Sequence, residues 1–498
     1  MHFGEKCRVA FLKVSEGNAK SIEKKQKRVV AICCFWAYHQ SCCALLRIGL
    51  SQRRWNSMNQ KNATSSIENI YSLDGRVPLG KAIPFGLQHV LAMFVANLAP
   101  IIIIAGVAGL DVGQRSMLIQ NAMFVAGIGT MVQLYPVWKI GSRLPMVMGV
   151  SFTFVSILCY VAATFGYGVA VGAIIIGGLV EGFLGLFAKY WRKVISPIVA
   201  ACVVTAIGFS LFEVGANSFG GGVGSPTFGS GPNILVASVA LIGSLVFNIF
   251  AKGFYKQLSV LFGLVIGYVL AAFLGMVDFS AILTSKFISL PKILPFMPEF
   301  NLSAILSVVV IFLVSATETI GDTTAMVAMG LDREPTDKEI SGSLACDGFC
   351  SSVSGLFGCA PITSFSQNVG LVAFTKVVNR YTLATGAACM ILAGLFPPIG
   401  AIFASLPDAV LGGCTIMLFG QIVSSGIRMI SNCGFSQRNS IIVALSLSIG
   451  LGFTRVPAIF SVLPTMVAEV LANNCVAVVF VVSLILNIVL PKSMEIKD

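Results

Sequence analysis

The sequence predicts an all-α integral membrane protein with fourteen transmembrane segments. These form a 7+7 inverted repeat, with short strands in segments 3 and 10. Three observations carry this prediction. Of 498 residues, 56% are hydrophobic and only 11% charged, with a mean hydropathy of +0.89. A soluble chain devotes about 25% of its residues to charge, so this one cannot cover itself for water. The apolar residues also recur in runs of about 20, the length that crosses ~30 Å of hydrocarbon. Finally, the runs fall into two sets of seven around the 277–300 connection. Seven is odd, so the second set must thread the membrane in the opposite sense to the first.

Residues 1–57 stand apart. They hold eleven Lys/Arg against three Glu, and so contribute +8 of the net +12. A basic run, Lys24-Lys25-Gln26-Lys27-Arg28, precedes an apolar stretch broken by His39 and Gln40. No small-residue cleavage site is evident, and Arg47, Arg53 and Arg54 follow closely. This stretch could pass for a signal sequence or an extra span, but the favoured reading is a basic extension of doubtful function, with translation starting at Met58 and a cytoplasmic tail over 58–82. A nucleic-acid surface is a poor account of the charge, because Lys/Arg beside a membrane chiefly sets topology.

Fourteen apolar segments follow between residues 83 and 490. One set of alternating connections carries thirteen Lys/Arg, among them Lys139, Arg143, Lys189, Arg333, Lys376 and Arg428. The opposite set carries four: Arg115, Lys286, Lys292 and Arg455. The positive-inside rule assigns the richer set to the cytoplasm. An even segment count then leaves both termini on that side.

The third segment of each half is short and interrupted. In the first half it reads Gly149-Val150-Ser151-Phe152-Thr153-Phe154; in the second, Ala360-Pro361-Ile362-Thr363-Ser364-Phe365-Ser366-Gln367-Asn368. Both begin strand-like beside Gly or Pro and then turn helical. Such half-segments meet near the midplane and offer backbone N–H groups and helix N-termini to a ligand. Unpaired backbone is tolerated there only where it lines a cavity.

The eighth segment holds Glu318 and Asp322, four apart and therefore on one helical face. A carboxylate inside a membrane helix costs about 2.5–3.5 kcal/mol on insertion scales. Two such groups side by side supply the chemistry that proton coupling requires. Gln367 and Asn368 in the tenth segment each carry an amide donor and acceptor, suited to the edge of a planar heterocycle. Phe152 or Phe365 would cover the ring face. Asp347 in the ninth segment and His89 in the first complete the intramembrane polar set.

Other classes fit poorly. An enzyme would need a nucleophile–base pair or a metal cluster, and the chain has three histidines, His2, His39 and His89. The fourteen cysteines show no C-x₂-C spacing, so neither a metal nor a disulfide is expected. An anion carrier would want basic groups where Glu318 stands.

With these residues in view, the chain resembles the nucleobase–ascorbate transporter family over about residues 70–490. Gln367-Asn368-Val-Gly370-Leu-Val-Ala-Phe-Thr375-Lys376 matches the family signature. Glu318-Thr-Ile-Gly-Asp322, Gln88-His89 and Ser151-Phe152 match in the spans where the family carries them. The resemblance implies a core domain of residues 83–188 and 302–403 and a gate domain of residues 195–276 and 408–490. It also implies an elevator-type cycle and a homodimer joined through the gates, in the plasma membrane. Glu318 and Gln367 would bind the base, Phe152 would stack on it, and Asn368 would organise the site. Asp322, Asp347 and His89 would serve coupling and the hydrogen-bond network. Gln367 with Asp322 is similar to the xanthine and uric acid branch, whereas uracil carriers tend to Glu and His at those positions. Thr153 stands where some xanthine-selective members carry Asn, which leaves xanthine against uric acid open. The implied coupling ion is H+, with Na+ as the alternative, and no cofactor or nucleic acid partner is implied.

Overall fold

A computed structural model describes residues 66–192 and 195–491. The expectations for the extension 1–57 lie outside the described residues, as does most of the 58–82 tail.

The chain is mostly helical. Its longer helices are α1 (Leu79–Val107), α2 (Val112–Leu134), α3 (Val155–Phe165), α4 (Tyr167–Leu186), α5 (Pro197–Ser210), α6 (Phe212–Phe219), α7 (Gly231–Phe250) and α8 (Ser259–Phe273). After the long connection come α9 (Leu302–Leu331), α10 (Asp337–Leu356), α11 (Ser366–Thr375), α12 (Arg380–Ala393), α13 (Pro397–Ala404), α14 (Asp408–Cys433), α15 (Gln437–Phe453), α16 (Thr465–Ala472) and α17 (Cys475–Val489). Among the described residues, seven helical stretches are long and apolar enough to cross a membrane: α1, α2, α4, α5 with α6, α7, α9 and α14. The expected eleventh segment is a broken pair, α12 and α13, bent by 80°. Pro397 and Pro398 stand at the start of α13, where a missing N–H costs least.

Both interrupted segments contain strands, as their sequences predict. Strand β1 (Met148–Val150) pairs antiparallel with β2 (Ile362–Ser364) in the register Met148↔Ser364, Gly149↔Thr363, Val150↔Ile362. Two strands leave their outer edges unpaired, which is costly in a buried setting. Side chains of neighbouring helices take up that role. Asn97 of α1 accepts from the Val150 N–H at 2.6 Å, and Thr130 of α2 from the Met148 N–H at 3.0 Å. Asp347 of α10 accepts from the Ser364 N–H at 3.0 Å. Polar residues within apolar helices therefore hold the sheet in place.

Helix contacts gather in two groups. In one, α4 packs on α9 and α10, while α12 packs on α1 and α2. In the other, α14 packs on α5, α6 and α7, α7 on α8, and α17 on α5 and α15. The α4–α10 crossing is the tightest. A Cβ on Gly348 would lie 2.1 Å from the Gly182 nitrogen, and one on Gly185 2.4 Å from the Ala345 nitrogen. Only a hydrogen fits there, so glycine allows the two backbones to touch.

Candidate functional site

Strand β1 runs into a short 3₁₀ turn, Phe152–Phe154, in which the Thr153 N–H donates to the Ser151 hydroxyl at 3.2 Å. That turn points Thr153 at α9, where its hydroxyl donates to Glu318 Oε2 at 2.6 Å. Strand β2 enters α11 through Phe365, which offers no side-chain cap. The first turn of α11 therefore lacks the capping acceptor that a polar N-cap supplies. Its first residue, Ser366, sits between the two carboxyls of α9. The hydroxyl lies 2.8 Å from Asp322 Oδ2 and 3.5 Å from Glu318 Oε1. A hydroxyl has one hydrogen, and the shorter contact to Asp322 is the one of hydrogen-bond length.

Thr153, Glu318, Asp322 and Ser366 thus form one cluster where β1, α9 and α11 meet. Gln367 follows Ser366, is half-buried, and makes no side-chain hydrogen bond among the described residues. Its amide is available to a ligand. Phe152 is buried and meets Phe419 of α14 edge to face, with ring centroids 5.3 Å apart. Phe365 is also buried and packs over Gly149 of β1.

The other predicted residues lie behind this cluster. Asp347 is fully buried, and its Oδ2 collects three donors: the Thr319 hydroxyl at 2.6 Å, the Ser364 N–H at 3.0 Å and the Ser364 hydroxyl at 3.1 Å. It joins β2 to the residue beside Glu318 without touching Glu318 itself. Asn368 is likewise fully buried. Its Nδ2 lies 3.3 Å from both the His89 Nδ1 and the His89 carbonyl oxygen. An amide nitrogen only donates, so Nδ1 accepts and the ring proton sits on Nε2. Although predicted among the substrate-binding residues, Asn368 is turned toward α1, which agrees with an organising role.

Two residues of this region carry no assignment in the sequence reading. Ser366 bridges both carboxyls, a contact that needs the strand-to-helix turn to be seen. Glu181 of α4 is 1% exposed, and neither carboxylate oxygen has a hydrogen-bond partner. A lone Glu in an apolar run was the available signal.

A cavity of about 500 Å³ opens elsewhere, between α1, α3, α6 and the start of α14, and is lined by Arg115, Glu213, Asn217 and Asp408. None of the nine predicted residues lines it. The chemistry of the site is therefore carried by the carboxyl cluster rather than by the open volume.

Comparison with known proteins identifies the family. The sequence profile described as Permease family, labelled for xanthine and uric acid permeases, matches residues 80–459. Uric acid permease PucK of Bacillus subtilis is 35% identical over 399 residues, 79% of this chain and 91% of its own. Xanthine permease XanQ of Escherichia coli is 33% identical over 437 residues, 85% and 94% of the two chains. Among solved structures, the transmembrane domain of the cyanobacterium bicarbonate transporter BicA matches with a TM-score of 0.52 at 13% identity, over 83% of this chain and 98% of that one. The murine Slc26a9 anion transporter matches with a TM-score of 0.53 at 13% identity, over 80% and 68%. At such identities the likeness is one of fold. The profile and the relatives describe transporters and no enzyme, so the protein is a multi-pass membrane permease, and the chain belongs to the nucleobase–ascorbate transporter family, in company with its xanthine and uric acid permeases.

Proposed function

We propose that this protein imports a purine nucleobase, xanthine or uric acid, by symport with a cation, the proton being favoured. The observation that carries the reading is the position of Ser366, the residue before Gln367, between the carboxyls of Glu318 and Asp322 where β2 enters α11. A carboxylate accepts from ring N–H groups, while the adjacent free amide both donates and accepts. Together they complement a ring edge on which N–H and C=O alternate. Phe152 closes the side toward α14, where an aromatic face favours a flat ligand. The relatives' printed substrates, uric acid and xanthine, support the purine class.

The two contact groups support a core of 83–188 with 302–403 and a gate of 195–276 with 408–490. Fourteen passes in two inverted halves, both termini in the cytoplasm, a homodimer and the plasma membrane complete the proposal. Gly420, Gln421, Ser424, Ser425 and Arg428 are all exposed on α14. A polar stripe on a membrane helix faces water or protein rather than lipid. The bicarbonate and anion carriers of similar fold suggest an anion cargo as the second reading, but Glu318 and Asp322 would repel one.

The test is uptake of labelled xanthine, uric acid, uracil and guanine into cells lacking their own permeases, with and without a protonophore and in Na+-free medium. The expected result is accumulation of xanthine or uric acid that the protonophore abolishes and Na+ removal leaves intact. Loss of active uptake in Glu318→Gln, with the protein still in the membrane, is expected alongside. Accumulation of an oxyanion and no base would overturn the substrate class.

A further inference from the structure

Glu181 lies in the last third of α4 and uses none of the contacts that normally make a buried carboxyl tolerable. It is 1% exposed, and both of its oxygens lack a hydrogen-bond partner. An ionised carboxylate in that position, with no compensating charge, costs several kcal/mol. No cation is placed to help. Helices α3, α4 and α9 contain no Lys, Arg or His, and α10 carries only Lys338, in its first turn. The titratable groups on the elements packed against Glu181 are Asp347, Cys346 and Cys350 of α10, with Asp337, Lys338 and Glu339 in its first turn, Glu318 and Asp322 of α9, and Cys159 and Tyr160 of α3. Of these, Asp347 and Glu318 act on it electrostatically, and both would repel a second negative charge.

The backbone geometry brings Glu181 to Asp347. A Cβ on Gly348 would fall 2.7 Å from the Glu181 carbonyl carbon, so the residue after Asp347 presses on Glu181 itself. Asp347 has one oxygen satisfied three times over and the other, Oδ1, without a partner. The touching backbones therefore carry three unpartnered carboxyl oxygens. Ser315 of α9, a third helix at this junction, also has a buried hydroxyl without a partner. A proton on this pair supplies the donor that the site lacks.

We propose that Glu181 is a proton-binding residue of the transport cycle, outside the substrate cluster, whose proton sets how Asp347 holds strand β2 and the turn of α9 bearing Glu318. Asp347 reaches β2 through the Ser364 N–H and hydroxyl, and α9 through Thr319, the neighbour of Glu318. While Glu181 carries a proton, Asp347 keeps its acceptor role. Transfer of that proton to Asp347 moves the single negative charge of the pair onto Glu181, and the neutral Asp347 loosens its grip on Ser364 and Thr319. Proton occupancy at Glu181 and substrate occupancy at Glu318 are thereby linked, and such linkage is reciprocal. This rests on the symport reading above.

The experiment uses the purified full chain in proteoliposomes, with Glu181→Gln and Glu181→Asp as variants. Three readouts are taken: xanthine exchange without a gradient, uphill accumulation driven by a pH gradient, and the infrared C=O band of protonated carboxyls recorded without substrate. Glu181→Gln is expected to lose a component of the infrared band. It should also lose at least about tenfold in gradient-driven accumulation, within the usual 5–150-fold span of coupling factors, with a smaller fall in exchange. Glu181→Asp keeps the carboxyl and should recover most of the accumulation. An unchanged infrared band in Glu181→Gln overturns the proposal, as does parental gradient-driven accumulation. Equal loss of exchange and accumulation in both variants overturns it too, by assigning Glu181 to packing. If the parent exchanges no purine while the band is still lost in Glu181→Gln, the substrate reading fails and the protonated Glu181 stands.

Discussion

At the residue scale, the site is a set of carboxyls distinguished by what surrounds each. Glu318 faces a threonine hydroxyl, Asp322 a serine hydroxyl, Asp347 three donors, and Glu181 none. The 2.6 Å bond from Thr153 fixes the orientation of the Glu318 carboxyl before any ligand arrives. Thr153→Val keeps the shape and removes that donor. A hydrogen bond to a carboxylate contributes about 1.5–3 kcal/mol, so purine affinity is expected to fall roughly ten- to a hundredfold, measured as Kd or KM. Thr153→Ser retains the hydroxyl and should stay near the parent. Equal affinity in the Val variant would show that Glu318 is oriented by something else. Sequence made Glu318 and Asp322 legible, because their spacing of four puts them on one face of one helix. Ser366 and Glu181 were not legible in that way. Each acquires its role from a helix distant in the chain, and no periodicity along a single segment reports such a contact.

At the scale of the element, the two-stranded sheet is the unusual component, and it was legible. Gly149-Val150 and Pro361-Ile362-Thr363-Ser364 break two apolar segments at matching places. The sequence left hidden which residues finish the sheet's edges, because Asn97, Thr130 and Asp347 come from three different helices. The closeness of α4 and α10 was also hidden; glycines in an apolar run signal close packing without naming the partner. That crossing gives a sharp prediction. Gly348→Ala places a methyl group against the Gly182 backbone, which cannot rotate aside. Overpacking of this kind costs about 1–3 kcal/mol or more. The variant is expected to lose its monodisperse chromatographic peak at a lower temperature than the parent. Gly370→Ala on α11, where the added carbon meets nothing within 4 Å, is the matched control and should melt as the parent does.

For the whole molecule, the proposed division into core and gate implies that the two groups of helices move against each other during transport, with the site between them. A polar contact ties α9 to α16. The Ser303 hydroxyl, in the first turn of α9, donates to Glu469 Oε2 of α16 at 2.6 Å. Helix α9 carries Glu318 with the first group, and α16 leads into α17 of the second. If the groups slide, this contact must open once per cycle. A short thiol-reactive cross-linker across Ser303→Cys and Glu469→Cys is therefore expected to stop uptake. Each single variant with the same reagent should transport as before. The parent chain is the necessary control, since Cys159, Cys389, Cys433 and Cys475 are partly exposed. A cleavable cross-linker should restore uptake when it is cut. Full activity with the bridge intact would mean that α9 and α16 move together, and the boundary between moving and fixed parts would then have to be drawn elsewhere.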